Sequence, residues 1–207
     1  MKKIVAQALI AIFALLSLAA CSPPGVPDVT YFRLPAPAPL PHADKPLSLL
    51  PIEVEVFSGE GIYAEQALIY STTPDAGALR TYHYQLWSNP PSRDMQTRLT
   101  AMLRDSGIAT LVTDRLPAST QALRIHGRIL RYERIKRDPG FEVAVAFEIR
   151  VEQDNGEPII EQTYAAQAPA ADASIDGTVR AFGTAVDAAL TRFYGDLAAL
   201  AKDTHAG

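Results

Sequence analysis

Cysteine is almost absent from this chain: 207 residues contain one, Cys21. A lone thiol closes no intramolecular disulfide and builds no zinc site of several thiolates. Positive charge is also scarce, with 19 Lys and Arg against 23 Asp and Glu and a net charge of -4. A dedicated nucleic-acid binder usually carries a basic domain, so nucleic acid is not an expected partner. The four histidines, His42, His83, His126 and His205, show no ligand spacing among themselves, and no metal site is expected. No G-x-S-x-G nucleophile elbow occurs. No apolar run reaches the roughly 20 residues that span a bilayer. Apolar residues are nonetheless plentiful at 48%, and the net charge is low, so the chain is expected to fold around a core.

The N-terminus explains the cysteine. Lys2 and Lys3 precede an apolar run from Ile4 to Leu16 that only Gln7 interrupts, and Leu18-Ala19-Ala20-Cys21 follows. A charged start, a short apolar stretch and small residues before a cleavage point make a secretory signal. The last four residues also match the bacterial lipobox, Leu-(Ala/Ser)-(Gly/Ala)-Cys. There the thiol takes a diacylglycerol thioether and the new N-terminus is acylated. Several acyl chains, at about 0.8 kcal/mol per buried methylene, hold a protein on a membrane. By resemblance to bacterial lipoproteins, an uncharged Ser22 favours the outer membrane. Removing residues 1–20 leaves 187 residues with a charge of −6, enough for one domain.

Residues 22–51 hold nine of the 16 prolines, which favours a tether or surface loop. Thr30–Leu34 interrupts them as a short strand, leaving residues 22–29 as the free tether. At about 3.1 Å per extended residue it reaches about 25 Å. Leu47–Phe57 reads as a strand, because Ile52, Val54 and Val56 alternate with Glu53 and Glu55. Ala67–Ser71 and Leu79–Leu86 read as two more, joined by a turn over residues 72–77.

Asn89-Pro90-Pro91 opens a helix over about 91–106. Met95, Leu99, Met102 and Leu103 share one face, and Gly107 suits the C-cap. A hairpin follows. Leu123, Ile125 and Ile129 alternate with Arg124, His126 and Arg128. After Asp138-Pro139-Gly140, the odd-numbered positions from Phe141 to Val151 are apolar. Pairing Lys136 with Glu142 sets His126 opposite Glu152 and Arg124 opposite Asp154. The same register sets Arg131 opposite Phe147 and Glu133 opposite Val145, so the tip projects past the core. Asp154–Glu157 turns the chain into a strand at about 158–167. Apolar residues three or four apart from Ile175 to Leu200 then predict a long amphipathic helix, about 175–202. The expected fold is α+β: an antiparallel sheet with two helices packed on one face.

Little in the chain looks like catalytic chemistry. Gly59-Glu60-Gly61-Ile62-Tyr63-Ala64 fits G-x-G-x-x-G/A. However, Pro74 and a predicted strand stand where the crossover helix should run, so a glycine turn between strands is the better account. Glu53/Glu55 and Glu148/Glu152 are carboxylate pairs with the spacing of a solvated strand face. No catalytic residue and no cofactor is expected. Arg124, Arg128, Arg131, Arg134, Lys136 and Arg137 gather positive charge in one hairpin arm. They either pair with Glu142, Glu148 and Glu152 or meet anionic lipid or an acidic partner. Trp87, the only tryptophan, either seals the corner between strand and helix or faces a partner.

A lipobox, Tyr31-Phe32-Arg33-Leu34 before a proline-rich stretch, a strand, and Tyr82-x-x-x-x-Trp87-x-x-Pro90-Pro91 leading into Met95, Leu99 and Leu103 form one ordered set. This order resembles the ABC-type transport auxiliary lipoprotein family, which includes the PqiC lipoproteins. Ser88-Asn89 departs from the Ala-Glu-like pair expected there. The resemblance implies a signal peptide over 1–20, a lipidated tether over 21–29 and an auxiliary domain over 30–207. It implies a non-catalytic lipoprotein on the periplasmic face of a Gram-negative outer membrane, held by acyl chains on Cys21. Its implied partners are an MCE-domain protein and an ABC permease and ATPase that move phospholipid or other hydrophobic molecules between membranes. Tyr82, Trp87, Pro90, Pro91, Arg124 and Arg128 are the candidate partner-binding residues. The alternative is a lipoprotein that itself binds and carries a lipid.

Overall fold

The computed structural model describes residues 25, 27–43, 46, 48–73 and 77–203. The expected signal peptide over residues 1–20 and the expected lipidation site Cys21 lie outside them. In chain order the strands are β1 (Thr30–Phe32), β2 (Ile52–Val54), β3 (Ser58–Gly59), β4 (Ala67–Ser71) and β5 (Arg80–Trp87). Helix α1 (Pro91–Ser106) follows, then β6 (Val112–Thr113), β7 (Leu123–Lys136), β8 (Phe141–Glu152), β9 (Pro158–Pro169) and helix α2 (Ile175–Asp203). A single 3-10 turn, Gly61–Ala64, separates β3 from β4 at the glycine motif, with Gly61 at φ 54°.

Strand β7 organises the sheet. β8 runs antiparallel along one edge of it, and β9 antiparallel along β8. The other edge is shared end to end by β2, β3 and β4, all parallel to β7. Beyond these, β6 adds parallel to β2, β5 antiparallel to β4, and β1 parallel to β5. The sheet is therefore mixed, which corrects the expected purely antiparallel one. Hairpin turns are local signals, whereas β2–β4 reach β7 only after the chain has crossed over through α1. A crossover of that length produces parallel neighbours.

The expected strand at 47–57 shrinks to three paired residues. Pro46 and Pro51 bring no amide donor to a ladder, and the alternation breaks at Val56, which is exposed, while Phe57 is buried. Phe57 lies over Gly127, where a Cβ would stand 2.4 Å from its ring, and meets Phe147 edge-on at 6.1 Å. Gly127 is thus the gap that lets an off-register aromatic enter the core.

The β7–β8 register also differs from expectation. Lys136 pairs with Phe141 and Ile135 with Glu142, and a bulge at Leu130 shifts the ladder by one more residue. Ile129 then faces Phe147, Tyr132 faces Val145 and Arg124 faces Glu152. The expected register had set Arg131 and Glu133 against those apolar partners. The bulge re-phases the strand so that Tyr132 turns inward instead. The tip does not project: Glu133 and Arg134 are both buried.

Both helices close one core against the sheet. In α1, Pro91 occupies the first turn, Gly107 caps the end at φ 68°, and Met95, Leu99, Met102 and Leu103 are buried as the spacing predicts. Ser174 starts α2, its hydroxyl accepting the Gly177 amide at 2.9 Å. Val179, Phe182, Val186, Leu190, Phe193 and Leu197 form the buried stripe of α2, which packs on β8 and β9.

The proline-rich segment does more than tether. Residues 33–43 cross the helices as a strap. Arg98 of α1 donates to Asp187 of α2 at 2.7 Å and to the Pro35 carbonyl at 2.7 Å. Asp187 also accepts the Ala38 amide at 2.9 Å. Tyr194 donates to the Pro41 carbonyl at 2.7 Å, and the Ala43 amide to the Ser106 carbonyl at 2.8 Å. Pro35 rests on Gly183, where a Cβ would meet the ring at 3.0 Å. The side chains of the pair are 6% and 14% exposed. Replacing Asp187 with Asn should cost about 3–5 kcal/mol, because a buried guanidinium loses its counter-charge. The double substitution Arg98→Met with Asp187→Leu should recover much of that loss. Urea denaturation of both variants measures the difference.

Candidate functional site

Sequence reasoning singled out six partner-binding candidates, and the fold separates them into two groups. Tyr82, Trp87, Pro90 and Pro91 run along β5 into α1, towards the interior. Trp87 is buried, edge-on to Tyr132 at 5.5 Å and to Phe182 at 5.1 Å, and Tyr132 stacks on Phe182 at 4.4 Å. Three rings thus fill the space between β5, β7 and α2. Pro91 is buried and Pro90 precedes the first turn of α1. Tyr82 is half-buried, and its hydroxyl accepts a hydrogen bond from Arg134. Arg134 also donates to the Ala173 carbonyl at 2.6 Å and lies 3.5 Å over the Phe141 ring. Its charge is stabilised by π-faces and carbonyls, a role the basic run alone did not reveal.

Arg124 and Arg128 lie on the opposite, outward face of β7. Arg124 pairs with Glu53 at 3.2 Å and Asp154 at 3.5 Å. His126 stands 3.1 Å from Glu55 and 3.5 Å from Glu152. Arg128 bonds Glu148 at 3.0 Å and reaches Glu60 at 3.6 Å, and those carboxylates raise its already high pKa. Arg131–Glu133, Arg137–Glu142 and Arg150–Glu152 continue the pattern. The positive arm is thus interleaved with carboxylates, so it presents no uniform basic field.

Glu53 departs from the expected solvated face. It is 8% exposed, held between β6 and β7, and accepts the Leu116 amide at 3.0 Å as well as Arg124. The cleft beside it, of about 550 Å³, is open and lined by Glu55, Arg93, Gln96, Asp114 and Arg115 among others. Gln96 is occupied there with the Val54 carbonyl at 2.9 Å and the Asp114 carbonyl at 3.3 Å. These groups hold backbone together.

Groups with shifted acidity are dispersed over the fold. Burial, and then the hydrogen bond to Glu133, pushes the Tyr63 phenol upward. Burial, and then the bond to Asp196, does the same for Tyr164, and burial raises Tyr132. Phenols shifted upward stay protonated at neutral pH and cannot serve as bases. Burial raises Asp94 in α1, opposed by Asn89 and Arg98. The Ser174 hydroxyl and amide hold Asp172 low before α2. Among the described residues, no group of three His, Cys, Asp or Glu side chains is placed to hold a metal ion. Nor is any helix among them long and apolar enough to cross a membrane.

If Trp87 serves packing, Trp87→Ala should lower stability by about 3–5 kcal/mol while Trp87→Phe costs markedly less. Denaturant unfolding followed by far-UV circular dichroism reads both.

Solved structures share this fold. A crystal structure of a Xanthomonas campestris protein assigned to the DUF330 family has a TM-score of 0.72 at 15% identity, covering 84% of this chain and 99% of that one. A crystal structure of an uncharacterized protein has a TM-score of 0.58 at 13% identity, covering 78% and 97%. A hypothetical protein of Chlamydia trachomatis has a TM-score of 0.52 at 8% identity, covering 74% and 98%. No curated protein matches the chain. The family described as ABC-type transport auxiliary lipoprotein component matches residues 32–192, from β1 to the middle of α2. The chain belongs to the ABC-type transport auxiliary lipoprotein family.

Proposed function

We propose that this is a non-catalytic docking lipoprotein, held at the periplasmic face of the outer membrane by acyl chains on Cys21. In this reading it receives an MCE-domain protein of an ABC transport system that moves phospholipid or another hydrophobic molecule across the periplasm. The family supports a transport-associated lipoprotein. The lipobox Leu18-Ala19-Ala20-Cys21 supports the anchor. The observation that favours a dock over a carrier is the stacked Trp87–Tyr132–Phe182 core. A carrier of acyl chains needs an apolar cavity between helix and sheet, and at that position three rings already fill the space.

The anchoring chemistry follows from the sequence. A single acyl chain binds membranes reversibly, whereas two or more give stable attachment. With a body charge of −6 in the processed chain, attraction to anionic lipid adds little, so the thioether carries the adhesion.

Cys21→Ala is expected to give a soluble, delocalised protein on membrane fractionation. Continued outer-membrane fractionation of that variant would count against the anchor. Solvent extraction of the same soluble variant should yield no stoichiometric lipid. One lipid per chain would establish the carrier reading instead.

A further inference from the structure

Strand β9 is the long free edge of the sheet. Among the described residues it pairs with β8 alone over Pro158–Pro169, whereas β1 and β6, at the other margins, are three and two residues long. The Ala170 amide donates to the Phe141 carbonyl at 2.9 Å, and this pair continues the β8–β9 register. Bonded pairs alternate along an antiparallel ladder. The even-numbered residues of β9 therefore bond β8, and Glu161, Thr163, Ala165 and Gln167 aim their amides and carbonyls away from the sheet. The Ala165 carbonyl agrees with that direction, because it accepts a hydrogen bond from Arg192 of α2 across the edge.

Sheets usually blunt such an edge with lysine, proline, a bulge or a covering element. From Glu161 to Ala168 there is no lysine and no proline, and Glu161 is the single charge. The register runs without a shift from Ile160 to Pro169. The wall of α2 beside the edge is low. Ala188, Arg192 and Gly195 line the openings around Ala165, and a Cβ at Gly195 would meet nothing within 4 Å. An added strand lies about 4.8 Å from its neighbour, and these small residues leave that space open. The Arg192 side chain reaches into it.

We infer that this edge seats a second copy of the chain, β9 pairing antiparallel with its counterpart about a twofold axis at Thr163. The outward residues are all odd-numbered, so this register sets outward residue against outward residue. Thr163 meets its own counterpart, and Glu161 meets the copy's Ala165. Like charges are never opposed, since Glu161 is alone on the strand. Charge also selects the register. Arg192 lies on the Ala165 carbonyl, so the copy's Glu161 arrives beside its guanidinium, and the symmetry makes that pair twice. Among the described residues neither Arg192 nor Glu161 has an ion pair of its own, and Arg150, opposite Glu161 on β8, bonds Glu152 at 2.7 Å instead. On pairing, Arg192 yields the carbonyl to the incoming amide and takes the carboxylate. Any extended strand would satisfy the free amides; the fit of Arg192 to Glu161 favours this chain's own. The contact is isologous, so it closes on a dimer and leaves no long edge exposed. It does not depend on the docking reading above.

The test is sedimentation equilibrium of the full mature chain carrying Cys21→Ala, with hydrogen exchange read at the β9 amides. The expected result is a concentration-dependent dimer with slow exchange at Thr163 and Ala165. Thr163→Pro should abolish it, because that amide bonds nothing within one copy and an edge strand tolerates proline there. Arg192→Glu alone should raise the Kd of the dimer about tenfold or more, and adding Glu161→Arg should restore it. Equal thermal midpoints verify folding, and if Thr163→Pro unfolds the chain, the charge exchange still decides. A monomer at every concentration overturns the proposal. A dimer that keeps fast exchange at Thr163, or that both sets of substitutions leave unchanged, also overturns it, since another surface then joins the copies. Loss with Thr163→Pro but no rescue by the charge exchange overturns the register centred on Thr163. Protection of the β9 amides that appears only on adding a purified protein of the transport system gives the edge to a foreign strand and overturns self-pairing.

Discussion

One ion pair holds three parts of this protein in register. Arg98 and Asp187 join α1 to α2, and both also bind the backbone of the strap between Pro35 and Ala38. Desolvating two charges costs several kcal/mol, and Coulomb attraction recovers that only with good geometry and satisfied hydrogen bonds. Here the remaining donors and acceptors are largely used by strap carbonyls and an amide. The pair therefore contributes position more than net stability. Apolar packing lets helices slide over one another, but a guanidinium shared between a carboxylate and two carbonyls fits one arrangement. Because proline segments form no ladder of their own, the strap depends on such side-chain contacts to lie where it does.

The second constraint is the bulge at Leu130. Without it β7 would turn Arg131 and Glu133 towards the core, as uninterrupted alternation requires. With it, Tyr132 enters the aromatic stack and Arg134 reaches Tyr82 and Phe141. The bulge and Gly127 cooperate, the first re-phasing the strand and the second leaving space for Phe57. The aromatic packing at the centre of the core thus depends on two irregularities in one strand.

How much of this was legible in the sequence depended on range. Both helices were, because the 3.6-residue spacing of Met95, Leu99 and Phe182, Val186 is a local property, as are Pro91 and Gly107 at the ends of α1. The β7–β8–β9 meander was legible from its turns. The parallel pairings of β2, β3 and β4 were not, since no turn joins them to β7 and pairing across 64 to 71 residues leaves no periodic trace. Glu53 looked solvated because alternation cannot tell that strands flank it on both sides. Lone side chains with distant partners, such as Arg98 and Asp187, gave no signal beyond their place in the helices. The family resemblance holds over residues 32–192, and Trp87 within the motif read for it is buried in the core.

These constraints also separate the two ends of the sheet. The tip end carries balanced charges, Lys136 and Arg137 beside Asp138 and Glu142. The far end carries the uncharged Leu49, Leu50 and Leu111, all exposed. A core fixed in part by the Arg98–Asp187 pair holds those leucines at a set distance from the hairpin tip.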